Sequence, residues 1–218
     1  MNIFNWDKYN SNLRLIKKLI NYNKKNKFNY LEAGLYNHIR DLFCITLVLI
    51  SYKNNKDKRL NILDYGSNML TYANIANKIN LNNYNFSIYD PFNKKKLKKN
   101  NNFRIFNDEK YLNNKWDIVN FGSSIQYIDN INLLNKVNFK TTKAILITHT
   151  PFSLFKSYVS KQTNNKNLNQ KIHSYNDILT FFKKKKFILK FKSRNKDKYI
   201  SSKKKYKTFS MNLLFIKK

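Results

Sequence analysis

Four stretches end an apolar run on residues able to handle a ligand. In the first, Leu60-Asn61-Ile62-Leu63 runs into Asp64-Tyr65-Gly66-Ser67-Asn68. An apolar run stopped by a glycine turn reads as a buried strand. Gly66 accepts the backbone angles of a sharp turn and has no side chain to hold a ligand away. A strand, turn and helix in succession place backbone N–H groups and a helix N-terminus beside that ligand; a purely structural turn is the other account. In the second, Phe86-Ser87-Ile88-Tyr89 ends in Asp90. That carboxylate follows the first turn at roughly the ~20-residue separation at which dinucleotide folds place an acid for ribose hydroxyls. A carboxylate accepts both hydrogens of a vicinal diol, although a strand-end turn former also fits. The third runs from Trp116 to Phe121 and into Gly122-Ser123-Ser124-Ile125-Gln126-Tyr127. The fourth, Ala144-Ile145-Leu146-Ile147-Thr148, continues into His149-Thr150-Pro151-Phe152. In an open parallel sheet, ligands sit outside the carboxyl ends of strands. His149 stands at such an end, and an ordinary imidazole pKa suits a general base. Its alternative role is a hydrogen-bonded rim histidine.

The elements that must position these residues follow from periodicity. Residues 10–22 carry Leu13, Ile16, Leu19 and Ile20 at helical spacing, and residues 30–52 form a longer helix whose second half is almost wholly apolar. Met69, Leu70, Ala73, Ala76 and Ile79 mark the helix after the first strand. Phe103-Arg104-Ile105-Phe106 is a short strand, with Asp108 as N-cap of a helix through Tyr111. Residues 132–137 are read as a helix. Residues 155–171 have the weakest pattern and read as a mobile lid, a substrate loop or a simple insertion. His173 opens a further helix, with Ser174 as N-cap and Asp177 in a capping-box position. Phe187-Ile188-Leu189-Lys190-Phe191 and residues 208–216 are strands flanking a basic loop over 194–207. This alternation predicts an α/β fold: a mostly parallel, seven-stranded twisted sheet with helices on both faces. An N-terminal helical segment, 1–59, is expected to pack on a main domain, 60–218.

A chain of 218 residues with 42% hydrophobic and 16% aromatic residues can build one substantial core. The formal charge of +31 has two readings. Clustered Lys suits phosphate, so an RNA-binding protein or RNA methyltransferase is one alternative. The abundance of Lys, Asn and Ile, with Arg scarce, is also what A- and T-rich codons produce, and this is the preferred account. A single cysteine, Cys44, excludes an internal disulfide. His38, His149 and His173 are dispersed, so no metal site is expected. The first residues lack a signal peptide's apolar core, and the most apolar run, 42–52, is too short to cross a bilayer. A cytoplasmic protein is expected.

Ile62-Leu63-Asp64-Tyr65-Gly66 resembles the first motif of class I S-adenosylmethionine-dependent methyltransferases, a Rossmann-like family. The motif usually has two or three glycines; here Asn68 and Leu70 stand at the later positions. Three segments together resemble a methyltransferase family found among bacterial surface-polysaccharide genes: Leu63-Asp64-Tyr65-Gly66, Ser123-Ser124-Ile125-Gln126-Tyr127 and Thr150-Pro151-Phe152. The usual Arg before the last is His149 here. The resemblance implies S-adenosylmethionine as cofactor, held by Asp64, Gly66, Ser67 and Asp90, with Ser123, Ser124 and Gln126 lining its far side. It further implies a small, saccharide-linked oxygen or nitrogen acceptor, with His149 as base. Tyr127 and Gln126 either line the pocket or pack a helix start. Arg40 either meets the cofactor's carboxylate or pairs with Asp41 or Glu32. The eroded glycine loop supports another alternative, a methyltransferase fold that binds a partner without catalysis.

Overall fold

The computed structural model describes residues 59–66, 84–91, 103–162, 168–195 and 208–218, together with Thr46. The helices expected over 10–22 and 69–79, most of that over 30–52, all of the N-terminal segment 1–59 except Thr46 and Arg59, and Ser67, Asn68, Leu70, Arg40 and Cys44 lie outside these residues. So does the basic loop expected over 194–207, apart from its first two residues, which extend a strand.

Among the described residues, nine strands build one sheet: β1 Leu60–Tyr65, β2 Tyr84–Tyr89, β3 Phe103–Phe106, β4 Ile118–Gly122, β5 Ala144–Ser153, β6 Tyr158–Lys161, β7 Asn169–Ser174, β8 Phe187–Asn195 and β9 Thr208–Lys217. The order is β3-β2-β1-β4-β5-β7-β6, with β9 on the other edge of β5 and β8 beyond it. Strands β1 to β5 pair in parallel, as does β5 with β7. The β5–β9, β6–β7 and β8–β9 pairs are antiparallel. β5 is long enough to serve two neighbours along one edge. Its first half pairs with β4 as far as Gly122↔Thr148, and its end pairs with β7 at Phe152↔His173 and Ser153↔Ser174.

The expected seven strands are therefore present, in the order β3-β2-β1-β4-β5-β9-β8, and the β6–β7 hairpin is an addition. Residues 155–171, read as a lid, a substrate loop or a simple insertion, thus contribute to a β-hairpin added to the sheet, and His173, expected at the opening of a helix, belongs to β7, with the helix starting after the expected N-cap Ser174. The strands were hidden because their buried positions are mostly polar: Ser160, Gln170, His173 and Ser174 are all nearly inaccessible, and Ile172 is the one apolar residue among the buried positions of the two strands. Hydrophobic alternation, the usual mark of a strand, is weak there.

One face of the sheet carries Leu63, Tyr65, Val119, Phe121, Ile145, Ile147, Leu213 and Phe215 into a continuous core with Ile178, Phe181 and Phe182. Those last three lie on helix α1, Tyr175–Lys184. Its cap is a relayed version of the expected box. The Ser174 hydroxyl accepts from the Asp177 N–H, the Ser174 N–H donates to the Ser157 hydroxyl at 2.8 Å, and that hydroxyl donates to the Asp177 carboxylate. Asp108 caps Glu109–Asn113 as expected, although this is a 3₁₀ turn. The helix expected over 132–137 is likewise a 3₁₀ turn, Ile131–Lys136, capped by Asn130. Its Asn-rich sequence is too short to propagate an α-helix.

Candidate functional site

The strand order reverses between β1 and β4, the point where open α/β sheets bind ligands. The register sets Asp64 opposite Asn120 and Gly122 opposite Thr148, so the carboxyl ends of β1 and β4 stand beside the middle of β5. The strand expected to end at His149 runs on to Ser153, which places His149 in mid-strand. Each of the three strands carries one left-handed residue here: Gly66 just past β1 at φ 73°, Ser123 just past β4 at 57° and His149 within β5 at 51°. For residues other than glycine this conformation is costly and concentrates at functional sites.

Each corner is fixed by its neighbours. The Gly66 N–H donates to the Tyr89 carbonyl at 2.7 Å, tying the β1 turn to β2. A Cβ on Gly66 would lie 2.8 Å from the Ser124 Cβ, so the β1 and β4 turns meet at a distance that only glycine permits. The Ser123 N–H donates to the Thr148 carbonyl at 2.9 Å, and its hydroxyl donates to the His149 carbonyl at 3.2 Å. At His149 the backbone N–H donates to the Asn212 side-chain oxygen at 2.9 Å.

The expected ligand residues divide by burial. Asp90, half-exposed, follows β2, and its N–H is held by the Phe106 carbonyl at 3.0 Å. Gly66, Ser123 and His149 are also half-buried. Asp64 is fully buried, and one of its carboxylate oxygens accepts from the Asn120 amide at 2.9 Å. Ser124 and Gln126 are buried, and among the described residues neither the Ser124 hydroxyl nor the Gln126 side-chain carbonyl has a hydrogen-bond partner. Such groups cost stability unless something pairs with them. Ser67 and Arg40 lie outside the described residues.

Beneath the corners, Tyr65, Tyr89, Phe106 and Phe121 form a row of tilted rings with centroids 5.0–5.5 Å apart. Burial raises the pKa of both Tyr65 and Tyr89, and the Glu109 carboxylate adds to this, so both phenols stay neutral. Beside them, the Ile125–Tyr127 turn is clasped by the added hairpin. The buried His173 Nε2–H donates to the carbonyls of Ile128 at 2.8 Å and Ile125 at 3.2 Å. The Gln162 amide donates to the Tyr127 hydroxyl, and Lys171 pairs with Asp129 at 3.7 Å. Burial, as the largest cause, lowers the His173 pKa and favours the neutral ring. Sequence reasoning assigned no role to Asn120, Asn212 or Gln162. Their one signal was a polar residue inside, or beside, a strand.

No protein-family model matches the chain, and no curated protein does. Solved structures do. Magnesium protoporphyrin IX methyltransferase from Synechocystis PCC 6803, crystallised with S-adenosylhomocysteine, superposes with a TM-score of 0.53 at 10% identity, covering 87% of this chain and 90% of that one. The glycopeptide N-methyltransferase MtfA, complexed with S-adenosylmethionine, gives 0.51 at 8% identity over 85% and 96% of the two chains. The fold is that of the class I S-adenosylmethionine-dependent methyltransferases. Among the described residues, no helix is long and apolar enough to cross a membrane and no group of His, Cys, Asp or Glu is arranged to hold a metal ion.

The donor set suits the cofactor bound by the two neighbours above. Asp90, just past β2, has a carboxylate of the kind that accepts a vicinal diol. Gly66, whose N–H is bound to the Tyr89 carbonyl, has no side chain to hold a ligand away. Ser124 and Gln126 offer buried polar atoms with no partner of their own.

Proposed function

We propose that the chain transfers a methyl group from S-adenosylmethionine to a small oxygen or nitrogen acceptor. The observation that carries this reading is the alignment of three left-handed corners, Gly66, Ser123 and His149, at the switch point, with Asp90 on the flanking strand. The bound cofactor would supply an electrophilic sulfonium methyl. Asp90 would accept the two ribose hydroxyls. Gly66 and Ser67 would let the backbone come close. Ser123, Ser124 and Gln126 would line the far side. Asp64, paired with Asn120, would anchor the floor beneath the amino-acid end. Methyl transfer asks mainly for alignment and for removal of the acceptor's proton. His149 would take that proton at its imidazole.

The acceptor's chemical class comes only from a resemblance: the Ser123-Ser124-Ile125-Gln126-Tyr127 and Thr150-Pro151-Phe152 segments resemble those of a methyltransferase family found among bacterial surface-polysaccharide genes. That resemblance implies a saccharide-linked acceptor, and with it a place in surface-polysaccharide synthesis in the cytoplasm. The test is calorimetric titration of S-adenosylmethionine and S-adenosylhomocysteine into the wild-type protein and its Asp90→Ala variant. Micromolar binding that is lost in the variant is the expected result. A folded wild-type protein that binds neither ligand refutes catalysis and leaves a fold used for partner binding.

A further inference from the structure

β5 contains one irregularity, and it lies at His149. Its ladder with β9 runs Ile147↔Leu213 and then Thr150↔Met211, so Thr148 and His149 together face the single residue Asn212. This is a β-bulge, a device that re-aims a side chain. Its effect on parity is visible in the core. Ile145 and Ile147 face helix α1 before the bulge, and Phe152 faces the same core after it. In an unbroken strand, residue 149 would have followed Ile147 into that core. The bulge removes His149 from the alternation and leaves it half-buried in mid-strand, level with the end of β4.

Asn212 is 0% exposed, and its side chain spans the bulge. Its Oδ1 accepts the His149 N–H at 2.9 Å, while its Nδ2 donates to the Ser193 hydroxyl on β8 at 3.1 Å. A backbone N–H can only donate, so the amide oxygen must face His149, and Ser193 fixes the amide that way round. From the opposite edge, Ser123 holds the Thr148 and His149 carbonyls. The left-handed backbone at His149 is thus gripped at its N–H from β9 and at its C=O from β4.

We infer that Asn212 is a positioning residue for His149: by accepting the backbone N–H inside the bulge, it sets the direction of the imidazole at the mouth of the site. The functional half of this inference rests on the proposed role of His149 as proton acceptor. The grip itself does not. Asn212 acts here through the backbone of His149. Near-isosteric Leu would lack the acceptor oxygen. Asp would keep it, with the Ser193 hydroxyl turning to donate to the second carboxylate oxygen.

The test is an NMR comparison of the full chain in wild type, Asn212→Leu, Asn212→Asp and Ser193→Ala, with S-adenosylhomocysteine as probe. In Asn212→Leu, exchange of the His149 amide accelerates about 100-fold while the Ile147 and Leu213 amides stay unchanged; in Asn212→Asp it stays within about threefold of wild type. Ser193→Ala, the milder variant should Asn212→Leu fail to fold, gives an intermediate acceleration. Addition of the probe shifts the His149 ring resonances in wild type and Asn212→Asp. In Asn212→Leu those resonances no longer respond, although the probe binds with unchanged affinity. Unaltered His149 exchange in both Asn212→Leu and Ser193→Ala overturns the inference. So does a His149 ring that responds identically in wild type and Asn212→Leu. Failure of the probe to bind wild type defeats the cofactor reading, and the amide exchange still decides the grip.

Discussion

Gly66→Ala imposes two separable costs at one atom. The residue sits at φ 73°, and a Cβ there would stand 2.8 Å from the Ser124 Cβ and 3.5 Å from its hydroxyl oxygen. Holding a residue with a Cβ in the left-handed region costs about 1–2 kcal/mol. Forcing a methyl into a filled site costs about 1–3 kcal/mol more. Together they remove about 2–5 kcal/mol, which at about 2–4 °C per kcal/mol for a domain of this size lowers Tm by about 4–20 °C. The second cost depends on Ser124 and the first does not. Ser124→Gly deletes the colliding atom, so in that background Gly66→Ala should cost only the dihedral part, a coupling of about 1–3 kcal/mol in the double-mutant cycle. Ser124→Ala keeps the Cβ and should give no relief. Urea unfolding of the six combinations reads the terms directly. A Gly66→Ala penalty below about 0.5 kcal/mol, or an equal penalty in the Ser124→Gly and Ser124→Ala backgrounds, would refute the close contact between the two turns.

The buried, unpartnered hydroxyl of Ser124 predicts opposite signs for stability and binding. Ser124→Ala should stabilise the ligand-free protein by about 1 kcal/mol in urea unfolding and weaken S-adenosylhomocysteine binding about 2–10-fold by calorimetry. Loss of the Asp90 carboxylate removes charge-assisted hydrogen bonds, so Asp90→Ala should weaken the same binding at least about tenfold, with Tm nearly unchanged. His149→Gly should abolish methyl transfer to an identified acceptor while relieving the left-handed strain, for a gain of about 1 kcal/mol in stability. For His173, burial lowers the pKa below its ordinary 6.5, so the unfolded chain binds the proton more readily than the native one. Its contribution is complete above that value and is lost as pH falls below 6.5 towards the native pKa. His173→Gln, which retains a donor for the Ile125 and Ile128 carbonyls, should flatten the stability profile over that interval, and an unchanged profile would count against the clasp.

Legibility in the sequence followed the hydrophobic pattern. Where a strand buries apolar residues on both faces, as β1, β4 and β5 do, the apolar run stood out and the residue that follows it could be singled out. Gly66, Ser123 and His149, the three left-handed positions, were singled out this way without any knowledge of register. Where burial is polar, the sequence was silent. Gln170, His173 and Ser174 occupy buried positions of β7, so a strand read as a loop and a helix start. Asn120 and Asn212 are fully buried inside strands that did read as strands, yet composition says nothing about what an interior amide is paired with. That information is non-local: Asn120 meets Asp64, and Asn212 meets His149, across 56 and 63 residues of chain.

The scarcity of glycine also has a structural reading. The chain has three glycines in 218 residues, and class I methyltransferases usually place two or three in the first turn alone. Of the three left-handed corners, only the one with no room for a Cβ is glycine. At the other two, the left-handed backbone is held by hydrogen bonds. Ser123 supplies its own hydroxyl to the His149 carbonyl, and Asn212 supplies an amide oxygen to the His149 N–H. A residue with a Cβ held in this way is more rigid than glycine in the unfolded and native states alike, because glycine forfeits more conformational freedom on folding. Replacing glycine by a framed residue therefore exchanges backbone freedom for a dependence on distant side chains. The His149 corner should accordingly be more sensitive to loss of the Asn212 or Ser123 side chain than to direct substitution by glycine. His149→Gly and Asn212→Leu should move stability in opposite directions although both loosen the same corner. A matching loss in both would mean that the frame carries no strain.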